Sequence, residues 1–219
     1  MGETDMENRK LIAGHLLDIG AVVLSPNDPF TWASGIQSPV YCDNRLILAY
    51  PDVRKQVIDA FVHLIADHYP QTELIAGTAT AGIPHAALIA AALDLPMVYV
   101  RSAAKSHGRG RQIEGIVRSG AKTVVIDDLI STGGSVLNAV DALRAADADV
   151  LGVAAIFTYK LAQAQQNFAA AQTQLATLTD FETLIHLAAR RQTINAVQLD
   201  RLKAWYADPT SDRWRNKNA

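Results

Sequence analysis

Residues 124–135 read VVIDDLISTGGS, and a helical pattern carrying Val136, Ala139, Val140 and Leu143 follows. A β-branched run, two adjacent acids, a hydroxyl- and glycine-rich turn and an amphipathic helix make a strand–loop–helix unit. Small side chains let main-chain N–H groups approach a ligand closely. The helix N-terminus adds the positive end of its dipole, and Ser131, Thr132 and Ser135 add hydroxyls. That combination suits a phosphate monoester. Asp127 and Asp128 just upstream suit sugar hydroxyls or a hydrated metal. Neighbouring strand residues point to opposite faces, so the pattern predicts a strand TVVIDD (123–128) ending at the acids, where both can reach one pocket. A helix cap beside a solvated acid pair is the plainer alternative.

Working outward, the same rhythm recurs. LIAG (74–77) leads into a small-residue turn and a helix with Ile83, Ala87, Leu88 and Ala91. MVYV (97–100) leads into a polar, glycine-bearing loop, and VLGVAAIFTY (150–159) follows the central unit. Strands alternating with helices predict an α/β fold, a parallel sheet of about five strands flanked by helices. Ligands bind such sheets beyond the carboxyl ends of strands. The turns after Gly77, Arg101 and Asp128 are therefore the places to look. The turn AGTATAG (76–82) can form a backbone anion site or a plain βα turn. It lacks the P-loop lysine and the G-x-G-x-x-G pattern. The loop RSAAKSHGRGRQIEG (101–115) sets Arg101, Lys105, Arg109 and Arg111 against Glu114, with His107 among its glycines. It reads as a cationic lid over a polyanion or as a solvated basic loop.

Towards the N-terminus, residues 8–24 predict a first helix with Leu11, Ile12, His15, Leu16 and Ile19 on one face and Gly20 placed to end it. SPNDPFTWASGIQSPVYCDNR (25–45) predicts loops and short edge strands. A helix follows Pro51, with Val53, Val57, Ile58, Phe61, Val62 and Ile65 as its stripe. Beyond the sheet, residues 161–172 read as a helix. Thr179-x-x-Glu182 reads as the capping box of another, and Asn195 or Thr193 caps the last.

The chain has 219 residues, 49% of them hydrophobic, and can bury a core without staples. Its net charge of −2 argues against a nucleic-acid or membrane-surface binder. One cysteine, Cys42, excludes a disulfide framework and points to a reducing compartment. No segment reaches the roughly 18 apolar residues of a membrane span. The polar start MGETDMENRK does not read as a signal peptide. The expectation is a cytoplasmic protein of one domain, with a core at about 50–158 and a small hood from about 1–49, to which 159–219 can contribute.

DDLISTGG after its apolar strand resembles the phosphoribosyl-diphosphate (PRPP) motif of type I phosphoribosyltransferases. FTWASGIQSPVYCDNR (30–45) and KSHGRGRQIEG (105–115) resemble the orotate branch of that family. The resemblance covers roughly residues 10 to 160. It implies transfer of phosphoribose from PRPP to orotate, giving orotidine 5′-phosphate and diphosphate with Mg²⁺, a step of pyrimidine biosynthesis. By residue, it implies that Asp127 and Asp128 bind the ribose hydroxyls. Leu129, Ile130, Ser131, Thr132, Gly133, Gly134 and Ser135 form the PRPP loop, in which Ser131–Ser135 cradle the 5′-phosphate and Ser131 also touches orotate. Arg101, Lys105 and His107 engage the diphosphate, and the 76–82 turn holds diphosphate and Mg²⁺ through its backbone. With Asp127 and Asp128, Lys105 and His107 are the implied catalytic residues. The resemblance also implies a homodimer whose loop 101–115 reaches the partner's site, and no direct side-chain metal ligand.

The chain departs from the family's pattern at several positions. Trp32-Ala33 stand where a lysine is common, Ser102 where a second basic residue is common, and Gln37 where lysine is expected. The first phosphate turn lacks lysine, and where an orotate-binding arginine often follows the strand at 150–157 this chain offers only Lys160 nearby. Arg45 is left for the orotate carboxylate, or is a surface arginine beside Asp43. Two other readings keep the PRPP motif: transfer to a different base, and a regulator that senses PRPP.

Overall fold

A computed structural model describes residues 3–31, 37–102 and 112–216. In chain order the elements are α1 (Glu3–Asp18), β1 (Val22–Leu24), β2 (Phe30–Thr31), β3 (Gln37–Ser38), β4 (Val40–Cys42), a 3-10 turn (Asn44–Ala49), α2 (Pro51–His68), β5 (Leu74–Thr78), α3 (Gly82–Leu93), β6 (Met97–Val100), β7 (Ile113–Glu114), β8 (Lys122–Ile130), α4 (Gly134–Ala145), β9 (Asp149–Thr158), α5 (Ala162–Ala170), β10 (Leu175–Asp180), α6 (Phe181–Arg190), α7 (Ala196–Ala207) and a closing 3-10 turn (Arg213–Asn216). They fall into two compact units. One comprises Asp52–Leu178, the other Met1–Pro51 with Thr179–Ala219.

The larger unit is built on a sheet ordered β10-β9-β8-β5-β6-β7. Pairing is parallel from β9 through β8 and β5 to β6, and antiparallel between β6 and β7. The strands are apolar because both faces are covered. Leu74, Ala76, Val98, Val125, Val153 and Ala155 share one core cluster with Val136, Val140 and Leu143 of α4 and Phe168 of α5. Fully burying a Val or Leu of this kind contributes on the order of 1.5–3 kcal/mol. α3 packs on β5, β8 and β6. Its Ala86 lies so close to Gly77 that a Cβ there would stand 2.8 Å from the Ala86 methyl. α2 closes with Tyr69, whose hydroxyl donates to Val153 O at 3.1 Å and whose ring lies against Gly152. Burial pushes that phenol up to about 12.

Among the described residues the sheet has six strands, in keeping with the expected parallel sheet of about five. The added ones are the edges: two-residue β7, and β10, whose LATLTD is too mixed to stand out from the tail. In the smaller unit, β1 pairs with β4 and β2 with β3, both antiparallel. The first helix spans Glu3–Asp18 rather than 8–24. Gly20 takes φ +70, which stops the helix, and β-branched Val22 and Val23 enter a strand instead. The α6 cap is also reassigned. Thr179 belongs to β10, and Asp180 caps α6 by accepting from the Thr183 N–H at 2.8 Å. Asp180 also pairs with Arg9 of α1 at 2.5 Å. Asn195 caps α7 in a full capping box with Gln198.

One buried group stands apart from this packing. His85, in the first turns of α3, is fully buried, and neither ring nitrogen finds a hydrogen-bond partner among the described residues. Burial pushes its pKa down from 6.5 to about 4. The folded chain therefore resists a proton that the unfolded chain accepts between those values, and stability falls as pH drops through that window. His85→Leu should flatten this slope by about 2 kcal/mol between pH 7 and pH 5. Urea unfolding at the two pH values reads it, and equal slopes in both proteins would remove His85 from acid sensitivity.

Candidate active site

The chain enters the sheet at β5, moves to β6 on one side, and later runs from β8 to β9 on the other. Connections thus diverge between β5 and β8, which opens a crevice at their carboxyl ends. Thr78 ends β5 here. Its hydroxyl lies 2.7 Å from Asp127 Oδ1 of β8 and 3.1 Å from Ile126 O. Asp127 Oδ1 also accepts the Asp128 N–H at 2.9 Å. Burial pushes the Asp127 carboxyl above the usual carboxylate range. The Thr78 hydroxyl opposes the rise, and the neighbouring Asp128 charge adds to it. The strand does not end at the acid pair as the sequence pattern suggested. Leu129 and Ile130 continue β8, paired with Phe157 and Thr158 of β9. Both acids sit half-buried within the strand, and the Asp128 side chain stays close enough to Asp127 to interact with its carboxyl.

Ser131–Gly133 then form the loop into α4. Gly133 takes φ +80 as the helix N-cap, and no side chain caps it. Main-chain N–H groups of the first turn are therefore open to an acceptor from outside. α3 begins in the same way, with Ala81 at its N-cap and no side-chain cap. Its first residue, Gly82, is pressed onto the strand ends. A Cβ there would lie 2.4 Å from Thr78 Oγ1 and 2.5 Å from Ile126 O.

The roots of the basic loop are zipped together. Arg101 N donates to Gln112 O at 2.9 Å, and Gln112 Nε2 donates to Arg101 O at 2.8 Å. The Arg101 guanidinium stands 3.9 Å from Glu114. Lys105 and His107, with Arg109 and Arg111, lie outside the described residues. A cavity of about 160 Å³ joins the three loops, lined by Thr78, Ala79, Arg101, Gln112, Ser135 and Asn138. Thr78, Gln112 and Asn138 escaped the sequence reading. Each is an ordinary polar residue whose position becomes meaningful only across the sheet.

Arg45 lies in the smaller unit, where it forms a two-pronged pair with Asp43 at 2.6 and 2.8 Å. The Arg45 hydrogen bond holds the Asp43 carboxyl below its ordinary value. Gln37 spans the β2–β3 hairpin, donating to Thr31 Oγ1 at 2.6 Å. Lys160 takes φ +52, and its N–H donates to Thr158 Oγ1 at 3.0 Å.

Residues 46–173 match the family model described as the phosphoribosyl transferase domain. Over 209 residues the chain is 56% identical to the orotate phosphoribosyltransferase of Bacillus subtilis (strain 168), covering 95% of this chain and 97% of that one. The chain belongs to the orotate phosphoribosyltransferase family. The orotate phosphoribosyltransferase of Halalkalibacterium halodurans is 54% identical over 95% of this chain and all of its own length. The crystal structure of orotate phosphoribosyltransferase from Aeropyrum pernix superposes with a TM-score of 0.73 at 27% identity, over 84% of this chain and 99% of that one. The likeness to these orotate phosphoribosyltransferases includes the smaller unit as well as the sheet.

The close approach at Gly82 makes a sharp test of this member of the family. Gly82→Ala should cost about 1–3 kcal/mol, because its Cβ meets a backbone carbonyl that cannot swing aside. Gly134→Ala should stay within about 0.5 kcal/mol of the parent, since its nearest obstacle is Thr132 Oγ1 at 3.9 Å. Thermal melts of the two variants check the contrast.

Proposed function

We propose that this orotate phosphoribosyltransferase joins orotate to PRPP, releasing diphosphate and forming orotidine 5′-phosphate. The observation that carries the reading is the convergence of three features at the β5–β8 divergence. These are two helix N-termini without side-chain caps, the Thr78–Asp127 pair, and the zipped roots of a cationic loop. In this reading the Ser131–Ser135 loop and the α4 N-terminus take the 5′-phosphate. Asp127 and Asp128 take the ribose hydroxyls. The turn before α3 takes the diphosphate through its backbone, with Arg101, Lys105 and His107 closing on it. Ser131 touches orotate.

The chemistry breaks the ribose C1–O bond to diphosphate and forms a C1–N bond to orotate. Positive charge develops on the ribose ring and negative charge on the departing diphosphate. Carboxylates on one side and cations on the other stabilise those charges, each well-aimed group by about 3–4 kcal/mol. A closed loop keeps water from hydrolysing PRPP.

We also propose that Mg²⁺ takes part. Magnesium prefers phosphate and water oxygens with one or two carboxylates. The donors here suit that preference: Asp127 and Asp128 are adjacent, and Asp127 already carries the cost of a buried carboxylate that a nearby cation would offset. These two residues would hold the ion's water shell beside the diphosphate, and the ion would neutralise leaving-group charge. PRPP is highly charged and orotate is a carboxylate anion, and neither crosses membranes unaided, so we place the enzyme in the cytoplasm. Among the described residues no helix is long and apolar enough to cross a membrane.

A homodimer completes the proposal. α3 (GIPHAALIAAAL) has no Asp, Glu, Lys or Arg, yet Ala87, Leu88, Ala91 and Ala92 are exposed. Such a face suits burial against a second copy. Leu88→Asp should shift the protein from dimer to monomer by light scattering after size exclusion, and should lower turnover if the basic loop serves the partner's site. A monomeric parent protein would remove this part of the reading.

The main test follows orotate loss by ultraviolet absorbance with PRPP and Mg²⁺, omitting each in turn. Loss that needs both substrates and releases diphosphate is expected. Lys105→Ala should then cut kcat by roughly 10²–10³. Saturable PRPP binding without orotate turnover would move the assignment to another base or to a PRPP sensor.

A further inference from the structure

The PRPP loop is braced from behind by a helix that the reaction itself does not require. α5 presents Asn167, whose Nδ2 donates to Thr132 O at 2.9 Å. One turn earlier on α5, Gln163 Nε2 donates to Asn167 Oδ1 at 2.9 Å. This second bond fixes which end of the Asn167 amide faces the loop, because its oxygen is already engaged. The next residue, Phe168, is buried in the core cluster, and its ring covers Gly133. A Cβ on Gly133 would lie 2.6 Å from Phe168 Cε2, and Gly133 is also the left-handed residue, at φ +80, that starts α4.

These contacts have a directional consequence. In a trans peptide the C=O and the following N–H point to opposite sides. Capture of Thr132 O by Asn167 therefore turns the Gly133 N–H away from α5. Among the described residues neither the Ser131 nor the Thr132 side chain makes a hydrogen bond, and α4 has no side-chain cap to fix the turn. The α5 contacts are what select one orientation of the loop's N–H groups before an anion arrives. Pre-orienting donors in this way strengthens binding by removing the cost of ordering them.

We propose that Asn167 is a positioning residue for the 5′-phosphate end of the substrate, itself oriented by Gln163 and backed by Phe168. The inference rests on the reading that the 131–135 loop holds that phosphate. It differs from a stability role because its effect falls on one end of PRPP. Ribose 5-phosphate probes the 131–135 loop, whereas diphosphate probes the turn before α3.

The test compares the parent protein with Asn167→Ala, Asn167→Asp and Gln163→Ala by calorimetric titration with each probe, and by steady-state kinetics. Asn167→Ala should weaken ribose 5-phosphate and raise the KM for PRPP by about three- to tenfold, the effect of one lost hydrogen bond. Diphosphate affinity, the KM for orotate, and kcat at saturating PRPP should stay within about twofold. Asn167→Asp sets a carboxylate against the Thr132 carbonyl and should weaken ribose 5-phosphate further. Gln163→Ala, on the exposed side of α5, keeps the fold and should give a smaller loss of the same kind. Unchanged ribose 5-phosphate affinity in both Asn167 variants, or an equal loss for diphosphate, would overturn the proposal. Failure of the parent protein to bind ribose 5-phosphate and PRPP would overturn the loop's assignment, and this inference with it.

Discussion

Gly82 stands so close to β5 and β8 that no side chain fits between them: Thr78 Oγ1 and Ile126 O would each lie within 2.5 Å of a Cβ. That contact places the start of α3 directly on the strand ends. It also brings the Thr78 hydroxyl to Asp127, since the same residue lies against both. The crevice follows from topology, because connections from β5 and β8 leave in opposite directions. Its narrowness follows from glycine. A bulkier residue would lift the helix and separate its uncapped N-terminus from the acids that stand next to it.

The resulting electrostatics are deliberately mixed. Two helix N-termini present positive dipole ends, and a buried carboxylate lies beside them. Alone, Asp127 is uncomfortable: burial and Asp128 push its pKa up, and the Thr78 hydroxyl and a main-chain N–H only partly compensate. That tension suits a site whose substrate brings hydroxyls that can donate to a carboxylate, together with phosphates that draw cations close. An interaction accelerates a reaction where it strengthens only as bonds break, and a carboxylate beside the ribose meets positive charge at that moment.

What the sequence made legible, and what it did not, divides along the range of the interactions. β5, β6, β8 and β9 were readable because each is a short β-branched run followed by small residues and a helical stripe. The Ser131–Ser135 loop was readable for the same reason, since strand, glycine turn and helix are contiguous. β10 was not, because LATLTD mixes threonine with leucine in a tail that otherwise reads as helix. The boundary of α1 moved because the apolar run at 21–24 continues a helical pattern, and only pairing with Val40–Cys42 makes it a strand. Thr78 and Gln112 lie in the 76–82 turn and the 101–115 loop, but nothing there singles out their side chains, and Asn167 has no local signal at all. Their partners lie 49, 11 and 35 residues away, so no local period marks them.

The two units also differ in how their contacts are spaced along the chain. Asp52–Leu178 is assembled mainly from successive strand–helix repeats, whose contacts close short loops. The other unit joins the two ends of the chain: Arg9 pairs with Asp180 across 171 residues, and Arg191 with Asp18 across 173. Asp180 does double duty there, since the same carboxylate caps α6 and accepts from Arg9 while almost fully buried. Removing one partner of such a pair costs about 3–5 kcal/mol, because the other is left buried and uncompensated. Closing so long a loop is entropically slow, so contacts of this range form late. The unit made from both ends therefore carries the longer-range contacts of the two and is expected to form after the sheet.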